Sequence, residues 1–190
     1  MRLDRLTMKS QEALENAQRI AEAHGNQELQ VEHLMRALLT DTSGIVYRAL
    51  SMAGADIKAI ERDLDREIDK FPKVSGATPL GQIYVSPRLK AVFERAFEEA
   101  RRLQDEYVSV EHLLIAIIEE GGPSQRILER YGAGKEKILN IIKQIRGAHR
   151  VTDQNPEDKY QALQRYSRDL TELARKGKLD PVIGLSLIHI

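Results

Sequence analysis

An all-α fold, two four-helix repeats packed with pseudo-twofold symmetry into one globular domain, is predicted by three observations. Val31-Glu32-His33-Leu34 returns unchanged as Val110-Glu111-His112-Leu113, 79 positions on from 31 to 110. At the same offset Ala17 meets Ala96, Ala21 meets Ala100, Ala37 meets Ala116 and Thr7 meets the chemically similar Ser86. Residues 50–55 then meet 128–133 at an offset of 78, so one residue is lost in the loop between, where a surface connection tolerates it. Within both copies the apolar positions recur at helical spacing.

Thr7 is the expected N-cap of a first helix whose buried stripe is Ala13, Leu14, Ala17, Ile20 and Ala21, and His24-Gly25-Asn26 stops it. A short second helix begins near Val31 with Leu34, Ala37 and Leu38 inward, and the polar cluster at 40–44 ends it. A third spans about 45–53, with Gly54 placed to cap it in the left-handed conformation. The fourth carries Ile57, Ile60, Leu64 and Ile68 on one face and charges on the other. The stretch 71–85 holds Pro72, Gly76, Pro79 and Gly81 and reads as the connection between repeats, which span about 7–71 and 86–147.

Ser86-Pro87 opens the second copy with an N-cap and a proline at the first helical position, where its missing N–H costs nothing. Leu89, Val92, Phe93, Ala96, Ala100 and Leu103 form its stripe, 105–107 make the turn, and Ser109 caps the next helix, which Gly121-Gly122-Pro123 ends. Two further helices follow as in the first copy, closing with Ile138, Leu139, Ile141, Ile142 and Ile145 before Gly147. The alanines at 17, 21, 96 and 100 suit close backbone approach or ordinary helix filling equally well. From 148 to 159 the apolar pattern stops and Thr152, Asp153, Asn155, Pro156, Glu157 and Asp158 dominate, so this is read as a linker. Residues 160–176 read as one more amphipathic helix, too little chain to bury its own core, and 185–190 follow no pattern seen before them.

Composition narrows the function classes. The chain has 190 residues, with 29 Lys plus Arg balancing 29 Asp plus Glu, which removes the basic footprint of a dedicated nucleic-acid or membrane-surface binder. It has no cysteine, hence no thiolate chemistry and no cysteine-ligated zinc, in keeping with a cytoplasmic setting. No segment approaches the ~20 apolar residues of a membrane span. Gly132-Ala133-Gly134-Lys135 falls short of a phosphate loop because residue 136 is Glu and no strand precedes it. His33 and His112 each follow a glutamate but lack the i, i+4 spacing of a zinc helix, and no nucleophilic triad can be placed. No catalytic residue, cofactor site or metal site is expected.

Glu32 and Glu111 sit in first helical turns, where the positive dipole end favours a carboxylate. Asp105 aligns with Asn26, so Asp105 and Glu111 form an acidic pair in the second copy alone, flanking one short turn. Such a pair beside an apolar groove can hold a polypeptide by its N–H groups or a basic side chain; exposed carboxylates near turns are otherwise simply solvated.

Residues 1–147 resemble the Clp N-terminal domain, the double four-helix repeat at the front of hexameric AAA+ unfoldases. The opening Met1-Arg2-Leu3-Asp4-Arg5-Leu6-Thr7, followed by Gln11, Ala13, Leu14, Ala17 and Gln18, is most similar to the ClpB-type bacterial disaggregases. Tyr160-Gln161-Ala162-Leu163, Asp169-Leu170-Thr171 and Gly177-Lys178-Leu179-Asp180-Pro181-Val182-Ile183-Gly184 resemble the approach to their first ATPase domain. That makes 160–184 the start of a truncated AAA+ domain. Leu185 stands where the family has arginine, so 185–190 is read as a foreign tail.

The resemblance implies a non-enzymatic fragment that engages unfolded or aggregated polypeptide and helps deliver it to the pore of a homohexameric ring. ATP and magnesium would act in the parent protein, and the DnaK system would bind regions outside this chain. The family's substrate-engaging residues match Thr7, Asp105 and Glu111. The fragment is expected to be monomeric, with no nucleic acid or membrane among its partners. The alternatives are an adaptor-binding domain of the ClpA or ClpC type, and a structural gate over the pore.

Overall fold

In a computed structural model, residues 3–73, 83–147 and 150–156 are described. Among them are eight α-helices: α1 (Met8–Ala23), α2 (Val31–Leu38), α3 (Ile45–Met52), α4 (Ile57–Ile68), α5 (Pro87–Arg102), α6 (Val110–Glu120), α7 (Pro123–Arg130) and α8 (Lys135–Arg146). The expected ATPase-domain start (160–184) and tail (185–190) lie outside the described residues. α1 and α5, like α2 and α6, begin 79 positions apart, whereas α3 and α7, like α4 and α8, begin 78 apart. The lost residue therefore lies ahead of the third helix of the repeat.

The two copies interlock. α1 packs on α2 and α5 on α6, α2 and α6 meet at the centre, and α3 lies against α8 as α4 lies against α7. Each pairing in the second copy mirrors one in the first, which is the predicted pseudo-twofold arrangement. Leu34, Met35 and Leu38 from α2 and Leu113, Leu114 and Ile117 from α6 are buried between the outer helices. On α4, Ile57, Ile60, Leu64 and Ile68 are all buried, at a gain of roughly 1.5–3 kcal/mol each. Ala17, Ala21, Ala96 and Ala100 are buried as well.

Helical periodicity carries no signal for two short extended pairings that stitch the copies together. β1 (Glu28–Leu29), just before α2, pairs in parallel with β2 (Tyr84–Val85), just before α5. Leu6, just before α1, makes the matching parallel bridge to Val108, just before α6. The bonds repeat closely: Ser86 N donates to the Leu29 carbonyl at 3.0 Å, and Thr7 N donates to the Val108 carbonyl at 3.0 Å. Each joins the lead-in to one copy with the turn of the other.

The packed unit reaches past 147, where a linker was expected to begin. Val151 is fully buried, and its carbonyl accepts from Glu106 N at 2.9 Å. The Gln154 carbonyl accepts from Met8 N at 2.9 Å, filling an orphan donor of the first turn of α1. One valine in a polar run gives no periodic pattern, so the sequence reads as unattached a segment that is held by its backbone.

Candidate functional site

The repeated Val-Glu-His-Leu motif builds both turns in the same way. The ring Nδ1 of His112 accepts from Ser109 N at 3.0 Å, and that of His33 accepts from Gln30 N at 2.9 Å. Histidine thus fills the N3 position of a capping box, where glutamate or glutamine is usual. The other ring nitrogen reaches back across the turn: His33 Nε2 meets Asn26 Oδ1 at 3.1 Å, and His112 Nε2 meets Asp105 Oδ2 at 3.0 Å. The alignment of Asp105 with Asn26 is therefore a structural equivalence.

Burial, with a smaller contribution from His24, pushes His33 down to about 4. Its unfolded form takes up a proton near pH 6.5, its folded form only near 4. Stability should fall as the pH drops through that window, by roughly 3 kcal/mol in all. A His33→Gln variant, able to keep the cap, should lose this part of the pH dependence in denaturant titrations at pH 7 and 4.5. An unchanged dependence would contradict the assignment.

Thr7 adjoins the Leu6–Val108 bridge, Asp105 and Glu111 stand three residues either side of Val108 in the chain, and all three are buried. Thr7 caps α1, its Oγ1 accepting from Ser10 N at 3.2 Å. Asp105 sits in a network. Its Oδ2 receives His112 and the guanidinium of Arg146, which is buried near the end of α8, and its Oδ1 receives Val151 N at 2.8 Å. Burial pushes its carboxyl up, but the bonds from His112, Arg146 and Val151 outweigh that and hold it below the usual carboxylate range. Asp105 therefore ties together the end of α5, the start of α6, the end of α8 and the exit segment. Just before it Gln104 adopts φ +58°, where the first copy places Gly25 at +71°.

Glu111 differs from the other two. It is almost fully buried in the first turn of α6, and neither carboxylate oxygen has a hydrogen-bond partner among the described residues. Its counterpart Glu32 is equally buried but accepts from Arg88 Nη2 and Nη1 at 3.1 and 3.4 Å. Arg88 also donates from Nε to Glu120 Oε1 at 2.8 Å, and Glu120 first, then Glu32, hold its guanidinium all the more firmly protonated. At the position of Arg88 the first copy has Lys9, which turns to Glu12 at 3.0 Å and Asp41 at 3.5 Å instead. The difference between the copies is thus deeper than sequence indicates. Glu32, read as a dipole-favoured capping residue, is half of a cross-repeat ion pair, and Glu111 lacks its cation. Among the described residues no group of three or more His, Asp or Glu side chains could hold a metal ion.

The family model for the Clp repeat N-terminal domain matches residues 5–131, and the chain belongs to that family. Within it, the chain is similar to chaperone proteins named ClpB: 49% identical over 188 residues to that of Nitratidesulfovibrio vulgaris and 41% over 185 to that of Bacillus cereus. Those alignments take in 97% of this chain but 22% and 21% of the relatives, so the chain spans about a fifth of their length. The fold is shared with the N-terminal domain of Hsp104 from Candida albicans, at TM-score 0.71 and 21% identity, over 80% of this chain and 98% of that one. It is also shared with the N-terminal domain of ClpD from Arabidopsis thaliana, at TM-score 0.58 and 22% identity, over 76% and 96%. Among the described residues no helix is long and apolar enough to cross a membrane.

Proposed function

We propose that this ClpB-type chaperone N-domain is the polypeptide-receiving module of an ATP-driven disaggregase. It engages unfolded or aggregated chains at the junction of Thr7, Asp105 and Glu111 and passes them to the pore of the ring formed by the rest of the parent protein. The hydrolysis of ATP with magnesium, the hexameric assembly and cooperation with DnaK belong, on this reading, to that larger protein. Glu111 is the observation that supports it most. A buried carboxylate without a partner costs several kcal/mol, and an N–H or cationic group brought by a ligand relieves that cost.

Thr7 and Asp105 are positioning residues in this scheme. Thr7 fixes the start of α1 beside the Leu6–Val108 bridge, and Asp105, its acceptors already engaged, holds the turn that leads into α6. The exit segment supports the reading further, because Val151 and Gln154 are held here through their backbone carbonyls as a client chain would be. Binding is weak, since a shallow site must order a flexible chain. The test is an NMR titration of the chain with a polypeptide kept unfolded by reduction and carbamidomethylation. Saturable shifts centred on Thr7, Val108 and Glu111 are expected; shifts absent at millimolar ligand would overturn the assigned surface.

A further inference from the structure

A cavity of about 340 Å³ lies beside α1 and the turn between α2 and α3, lined by Lys9, Glu12, Asn16, Thr40, Asp41 and Gly44, among others. The pseudo-twofold axis gives each of these a counterpart in the second copy, and there arginines take the space. The Arg88 guanidinium lies over Gly122, where an added Cβ would come within 2.3 Å of its Nη2, and it is held by Glu120. Arg95 extends from α5 to donate to the Glu119 carbonyl. In the first copy Lys9 stands for Arg88, Asn16 for Arg95, Thr40 for Glu119, Asp41 for Glu120 and Gly44 for Gly122. The acceptors are retained, while the two guanidinium groups are replaced by a single ammonium and a short amide. Asp41 is held below the usual carboxylate range despite its partial burial, by bonds from Ser43 and by Lys9.

We infer that this cavity receives an arginine side chain of a bound polypeptide, its guanidinium pairing with Asp41 and the Thr40 carbonyl as Arg88 and Arg95 pair with Glu120 and the Glu119 carbonyl. Arginine fits better than lysine because a guanidinium offers several donors in a planar fork, whereas Lys9 already supplies a point charge to Asp41. Glu12, whose counterpart is Ala91, adds a further negative charge at the rim.

The inference names what the polypeptide carries and so rests on the binding function proposed above, but its test does not require a polypeptide. The chain is titrated with N-acetyl-arginine amide and, separately, with the isosteric neutral N-acetyl-citrulline amide, followed by amide shifts. The arginine derivative should give saturable shifts at Asn16, Thr40, Asp41 and Gly44, and the citrulline derivative should bind at least about tenfold more weakly. Asn16→Arg, which restores the arrangement of the second copy on a helix surface, should abolish the response, and Asp41→Asn should weaken it. Equal responses to the two derivatives, or an undiminished response in Asn16→Arg, overturn the inference. An unfolded polypeptide that binds as well after its arginines are changed to citrulline also overturns it, while leaving the polypeptide-binding function standing. Arginine binding without any polypeptide binding would uphold the cavity and remove the function.

Discussion

Asp105→Ala should destabilise the domain by about 3–5 kcal/mol, the usual cost of removing one partner from a buried ion pair. Three groups lose their acceptor at once. Arg146 becomes a buried cation without its carboxylate, His112 Nε2 loses the bond that orients its ring, and Val151 N is left without the oxygen it donates to. The ring in turn caps α6 through Ser109 N, so the start of that helix should loosen as well. Thermal unfolding should reveal a fall of roughly 6–20 °C, at 2–4 °C per kcal/mol for a domain of this size. Hydrogen exchange should report it locally, with the amides of Glu106, Ser109 and Val151 losing protection before those of α4. A loss under about 1 kcal/mol would mean that the network carries little of the fold, and that Asp105 is kept for contact with a ligand instead.

Arg88→Ala should cost about 3 kcal/mol, for a related reason. Glu32 is fully buried and would be left with no cation, while Glu120 would lose its bidentate partner. Arg88 itself is about one-third exposed, so water can approach Glu120 more easily than Glu32. The expected cost is therefore lower than at Asp105. The pairing can be separated from simple loss of packing by adding Glu32→Leu to Arg88→Met. If the uncompensated charge causes the loss, the double variant should recover most of it in urea titrations. If the double variant is as unstable as the single, the long Arg88 side chain matters through its packing and the pair is incidental. Arg88→Ala also puts Glu32, the first copy's glutamate, into the state that Glu111 occupies in the wild-type chain.

What the sequence makes legible is whatever repeats or alternates. The duplicated motif, the helical spacing of Ile57, Ile60, Leu64 and Ile68, and the caps at Thr7 and Ser86 read correctly because each is a local rule with a local cause. The histidines read poorly. A histidine at N3 does not announce itself as the second member of a capping box, and the reach of its far nitrogen to position 26 or 105 depends on the turn closing as it does. The pairing of Asp105 with Asn26 in the alignment was the available signal, since one ring with two different acceptors implies a difference in charge. Gln104 at the place of Gly25 was a second, because only a constrained turn holds a non-glycine residue at positive φ.

Burial was the main thing hidden. Acidic residues beside turns look solvated, yet Asp105, Glu111 and Glu32 are all inside, because the short pairings before α2 and α6 draw those turns against the opposite copy. The fates of the two glutamates then depend on one residue in the facing helix. Arginine at position 88 reaches its glutamate and lysine at position 9 does not, a difference of chain length and fork geometry that no periodicity encodes. The exit segment was hidden for a different reason. Residues 150–156 are held mainly by main-chain bonds, to which side-chain composition is blind.

The central claim is that Glu111 is the unsatisfied group a client chain engages, while Glu32 is already satisfied by Arg88. The most direct measurement is the affinity of a labelled, permanently unfolded polypeptide, by fluorescence anisotropy, for the wild-type chain, Glu111→Gln and Glu32→Gln. Glu111→Gln should weaken binding by roughly 10–100-fold, the worth of one charged hydrogen bond, in a domain no less stable than wild type because an unpaired buried charge has gone. Glu32→Gln should lower stability and leave the affinity of the folded fraction unchanged. Equal affinity of Glu111→Gln and wild type would contradict the claim, as would a loss of binding confined to Glu32→Gln.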